Sequence, residues 1–117
     1  MFVRQKVAKG RIYYQVVKNH RIGRRVQQTV LLSLREWPTT AAARAAIPER
    51  IAELERLIAT KGELQTEAKA HRPWARYVRS GEKNWKWIYY DAGEDIQRAE
   101  REIRRLSDVL AKIEKLE

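Results

Sequence analysis

Eleven side chains within the first 29 residues can all make one kind of contact: Arg4, Lys6, Arg11, Tyr13, Gln15, Asn19, Arg21, Arg24, Arg25, Gln27 and Thr29. A guanidinium fork matches the acceptor pair on guanine, and a carboxamide matches the donor and acceptor on adenine. Lysine and arginine also neutralise backbone phosphates. Residues 1 to 36 hold nine basic side chains against one acidic one, Glu36. The rest of the chain is nearly balanced, with ten basic against seven acidic from 37 to 92 and six against seven from 93 to 117. The opening segment therefore carries most of the net charge of +10, which favours polyanionic partners and nucleic acid first among them.

A second group lies in the middle of the chain. Trp74, Tyr77, Trp85, Trp87, Tyr89 and Tyr90 are interleaved with Arg72, Arg76, Arg79, Lys83 and Lys86. Rings beside cations can stack the bases of a single strand, Trp85 and Trp87 foremost. The competing reading is that these rings cover a sheet or a helical seam. Chemistry of other kinds finds no support. His20 and His71 are far apart with no companion His or Cys, there is no Gly-x-x-x-x-Gly-Lys-Ser loop, and the carboxylates sit beside Arg and Lys as ion pairs do. We expect no catalytic site, no metal and no cofactor.

Composition narrows the class. At 117 residues the chain has room for one core, with 44% apolar and 34% charged residues. Four Trp and five Tyr argue against global disorder. No run of about 18 apolar residues exists to span a bilayer, and no signal-peptide pattern opens the chain. With no cysteine there are no disulfides and no thiolate zinc sites, so the expected protein is soluble and cytoplasmic.

The elements that must position these side chains read as an α+β fold. Residues 2 to 8, 11 to 19 and 25 to 34 are predicted strands, because Val, Ile, Tyr and Thr dominate them with apolar residues at period two. A two-residue loop at Lys9-Gly10 sets Val7 opposite Ile12, Gln5 opposite Tyr14 and Val3 opposite Val16. A three-residue loop, Arg21-Ile22-Gly23, would pair Val16 with Gln28, Tyr14 with Val30 and Ile12 with Leu32. Parity then assigns one outer face to Arg4, Lys6, Arg11, Tyr13, Gln15, Val17, Asn19, Arg25, Gln27, Thr29 and Leu31, with Lys18, Arg21 and Arg24 at its rim. Such a face is free of acidic groups and narrow enough to enter a major groove.

The same residues carry a resemblance. Met1-Phe2-Val3-Arg4, then Gly10-Arg11-Ile12-Tyr13-Tyr14-Gln15-Val16-Val17, then Arg24-Arg25-Val26-Gln27-Gln28-Thr29-Val30-Leu31-Leu32-Ser33-Leu34 resemble the N-terminal region of insertion-sequence DDE transposases and of related short proteins. That family shows an aromatic-rich strand, a Gly-Lys or Gly-Arg turn and a V-x-Q-x-x-L-x-x-L-G strand. The resemblance covers the first third of the chain and implies a nucleic-acid-facing sheet in a protein from a mobile element, a phage or a defence locus. This chain departs from the pattern at Lys18-Asn19-His20-Arg21, where the family has a Glu-Ser-Tyr-Arg-like run, and at Leu34-Arg35, where it has Leu-Gly. The ribonuclease-H-like domain that holds the family's acidic triad cannot fit in the remaining residues, so transposase activity is not implied.

Residues 37 to 117 read as a helical scaffold behind the basic region at 1 to 36. Thr39 or Thr40 can cap a helix whose stripe is Ile47, Ile51, Leu54 and Ile58, with Pro48 expected to kink or restart it and Lys61-Gly62 to stop it. Ile96, Ala99, Ile103, Leu106, Leu110 and Ile113 alternate by three and four as a coiled-coil seam does. The two seams can pair within the chain, build a homodimer, or dock a larger nuclease or transposase. Between 63 and 92, a second β-hairpin near 75 to 90 competes with a helix through Trp85 and Tyr89. The functional expectation is a non-catalytic nucleic-acid-binding protein, DNA before RNA; an accessory module on a larger protein is the alternative.

Overall fold

The computed structural model describes all 117 residues. Its elements are β1 (Phe2–Ala8), β2 (Arg11–Ile22), β3 (Arg25–Arg35), α1 (Thr40–Ala70) and α2 (Trp85–Leu116), an α+β arrangement. No helix is long and apolar enough to cross a membrane. The chain forms two compact units, Met1–Glu49 with Arg105–Glu117, and Arg50–Arg104. The sequence reading expects a single unit divided in role at residue 36. The observed boundaries instead fall inside the helices, because the sheet shares its unit with one end of each.

In the first unit the strands form an antiparallel sheet in the order β1-β2-β3. Lys9 and Gly10 both take positive φ, 51° and 74°, as a type I′ turn requires. The register that follows matches expectation, with Val3 opposite Val16, Gln5 opposite Tyr14 and Val7 opposite Ile12. The second turn does not. Ile22 pairs with Arg25 across the two residues Gly23 and Arg24, and only the glycine has positive φ, 63°, the signature of type II′. Asn19 therefore faces Gln28 and Val17 faces Val30, where a three-residue loop would set Gln28 opposite Val16. β3 then bulges twice. Val16 pairs with Leu32 and Tyr14 with Arg35, which leaves Leu31 and Leu34 as the extra residues.

β1 ends opposite Val17. Beyond that point Lys18–Ile22 and Arg25–Thr29 have no third strand to pair with, and both faces of this two-stranded ribbon are exposed. Burial in the sheet is confined to the middle of β2 and the end of β3, where Val16, Val17, Leu32 and Leu34 lie in the interior of this unit with Ala43, Ile47, Leu106 and Ile113, while Val7 and Ile12 at the first turn are exposed. Thr39 caps α1 by accepting the Ala42 amide at 3.0 Å. The helix runs on through Pro48, which does not restart it. Proline removes the bond to the Arg44 carbonyl, but the alanine-rich turn before it favours helix and Ile47 is fully buried. Arg44 meets Glu117 in an ion pair, so the start of α1 lies beside the end of α2.

The second unit holds the remainder of both helices and the segment that joins them. Lys61 pairs with Asp95 at 3.0 Å, and Gln65 Nε2 donates to the Tyr89 carbonyl at 3.2 Å. These contacts set the two helix segments of this unit side by side and antiparallel. The predicted stop at Lys61-Gly62 is absent, because the seam continues through Gln65 to the buried Ala68 and outweighs a glycine cost of about 1 kcal/mol. The second β-hairpin near 75 to 90 is absent as well. Residues 71 to 84 are turns and irregular chain, and α2 starts at Trp85, capped by Asn84 Oδ1 accepting the Trp87 amide at 3.1 Å. From Ile96 to Ile113 the predicted seam positions are all buried or half-buried.

Candidate nucleic-acid interface

The change of register redistributes the predicted contact residues. Residues directly opposite in an antiparallel pair share a face, so β1 and β2 place Arg4, Lys6, Arg11, Tyr13, Gln15 and Asn19 together, with Arg21 continuing the row. Gln28 joins them, opposite Asn19. Arg25, Gln27 and Thr29 do not. They lie on the other face with Ile22, His20 and Lys18, their respective partners. Arg24 occupies the turn. The expected single plane is thus corrected to two faces of one ribbon, since a two-residue turn in place of a three-residue one inverts the parity of β3. The Gly23-Arg24 dipeptide, glycine first, is the signal that could have fixed this from sequence.

On the Arg4 face one network crosses all three strands. Arg4 donates from Nε and Nη2 to Gln15 Oε1, at 3.1 and 3.0 Å, and from Nη1 to Gln28 Oε1 at 2.7 Å. Gln28 belongs to this face, whereas a three-residue loop turns it inward. The bonds orient both carboxamides through their oxygens, so their NH₂ groups are left as donors. Farther along, the ribbon carries Lys18, Arg21, Arg24 and Arg25 within eight residues and no acidic group from Met1 to Arg35. Ile22 and Val26, 61% and 59% exposed, are its large apolar side chains.

The ribbon suits a major groove in size. Two strands lie about 4.8 Å apart, and five residues of strand extend about 17 Å, against a groove about 12 Å wide and 8.5 Å deep. Cations at the turn and along both strands can then meet phosphates while amide and guanidinium groups reach base edges.

The aromatic group belongs to the second unit. His71 and Trp85 stack with centroids 4.0 Å apart and planes 6° from parallel, and Lys83 lies 5.2 Å from the Trp85 centroid. Trp74 packs against Tyr89 and Tyr90, its indole N–H donates to the Ala68 carbonyl at 2.9 Å, and Arg72 lies 4.5 Å from its ring centroid. Of the two tryptophans singled out for stacking, Trp85 is half-buried and already sandwiched, whereas Trp87 is 62% exposed and joins none of these ring pairs. No group of three or more His, Cys, Asp or Glu side chains is arranged to hold a metal.

Comparison with protein-family models, with curated proteins and with solved structures finds no match to this chain.

Proposed function

We propose that this chain is a nucleic-acid-binding protein that holds duplex DNA through the ribbon Lys18–Thr29 of β2 and β3. One observation carries the reading: the part of the hairpin that outruns β1 is exposed on both faces, bears four cations and is free of acidic groups. An ordinary solvated surface mixes both signs, and a strand pair with no burial to gain needs another reason to extend. The residues that make the contacts are Arg21, Arg24, Arg25 and Lys18 on phosphates and groove edges, with Asn19, Gln27, Gln28 and Thr29 available to bases. Lys6 and Arg11 extend the cationic row on the Arg4 face. DNA is favoured over RNA because the major groove of an A-form helix is too deep and narrow for side chains to read.

A salt titration of a fluorescent DNA duplex tests this. For the unaltered chain, log affinity should fall linearly with log salt, by about 0.9 for each phosphate neutralised. In the triple variant Arg21→Ala, Arg24→Ala, Arg25→Ala the slope should shrink by about 2.7. An unchanged slope and affinity in the triple variant would refute the proposal, as would tighter binding to duplex RNA.

A further inference from the structure

The first turn of α2 carries an anomaly that packing does not explain. Tyr89, Ala92, Ile96 and Ala99 form its inward row, buried or half-buried. Lys86, Trp87 and Tyr90 lie on the opposite side, within about 100° of one another by helical spacing. Trp87 is 62% exposed and Tyr90 57%. Two large rings one helical turn apart on a solvated helix face sacrifice apolar burial worth about 2 kcal/mol each, and adjoining exposed rings with a polar rim are a feature of binding surfaces.

The surroundings define what would bind. Tyr90 is not loose: Trp74 and Tyr89 hold it edge-on, at centroid distances of 6.0 and 5.4 Å. One exposed ring is therefore fixed before any ligand arrives, which lowers the cost of ordering it. From His71 to Tyr90 the chain bears five Lys and Arg side chains and a single acidic one, Glu82. Tyr77, 80% exposed, adds a third open ring, with the Arg76 guanidinium 5.7 Å from its centroid. The face reverts to mixed sign one turn later, where Glu94 pairs with Arg98. Open rings want flat partners and the cations want a polyanion, and a strand of unpaired nucleotides presents both at regular intervals. A neutral apolar peptide would leave the cations unanswered.

We infer that Trp87 and Tyr90, with Lys86 on the same helix side, form a second binding site, specific for single-stranded nucleic acid. The site is separate from the duplex-binding ribbon, and either can fail without the other. The test is titration of the full chain with a fluorescent 15-residue oligothymidylate, which forms no duplex, and with an abasic strand of the same length. The unaltered chain should bind oligothymidylate about tenfold or more tighter than the abasic strand. Trp87→Ala with Tyr90→Ala should remove that difference while affinity for duplex DNA is kept. Trp87→Phe should retain most of it, which separates stacking from damage to the fold. Equal affinity for the two strands, or an oligothymidylate affinity unmoved by the double substitution, would overturn the inference. So would loss of duplex binding by a double variant whose circular dichroism matches that of the unaltered chain, since that would mean one shared site.

Discussion

Arg4 commits three of its five N–H donors to Gln15 and Gln28, tying the first strand to the third across the second. Its type and position suggest a phosphate or guanine contact, and that is how the sequence presents it. The geometry also gives it a structural part, because the same guanidinium holds two carboxamides that face outward. Arg4→Ala should therefore destabilise the fold by about 1 kcal/mol, read from the midpoint of urea unfolding. DNA affinity should fall less than in Arg21→Ala, whose side chain lies on the exposed ribbon. A fall in affinity equal to that of Arg21→Ala, without any shift in the midpoint, would make Arg4 a direct contact.

At the scale of elements, two glycines in the helices make different predictions. A Cβ at Gly62 meets nothing within 4 Å, whereas one at Gly93 comes within 2.8 Å of Gln65 Nε2, the group that donates to the Tyr89 carbonyl. Gly62→Ala should stabilise by about 1 kcal/mol, the helix propensity difference alone. Gly93→Ala should gain less or nothing, because Gln65 must move and give up that bond; thermal unfolding of the two variants compares them directly. The same elements show what was legible in the chain. The first hairpin was readable because Lys9-Gly10 permits one turn and the apolar alternation agrees with it. The helical seams were readable because their spacing continues for several turns. β3 was not, since a turn shorter by one residue inverts its faces and the bulges at Leu31 and Leu34 invert them again near the interior. The stretch from 75 to 90 misled because its aromatic alternation imitates a strand, while Asn84 starts a helix and the rings of Trp74, Tyr89 and Tyr90 pack on one another.

For the molecule as a whole, charge and burial are arranged in opposition. Every residue more than nine-tenths buried is apolar, and no buried side-chain polar atom is left without a partner. The cations of the first 35 residues concentrate where the sheet has least support. Two strands without a third, and without an apolar face to cover, are marginal on their own, and Lys18, Arg21, Arg24 and Arg25 repel one another across a short span. The tip of the hairpin should accordingly open far more often than the rest of the sheet, on the timescale that amide hydrogen exchange reports. In the free protein, amides of Lys18–Ile22 and Arg25–Thr29 should lose their protons well before those near Val16 and Leu32, and seam amides around Leu106 last of all. Saturating duplex DNA should slow exchange in the first set and leave the others as they were. Equal rates along β2, with or without DNA, would contradict both the marginality of the tip and its occupation. Because β1 is seven residues long and β2 twelve, the outer end of the hairpin has no third strand to brace it, and a bound polyanion would act on it as a splint.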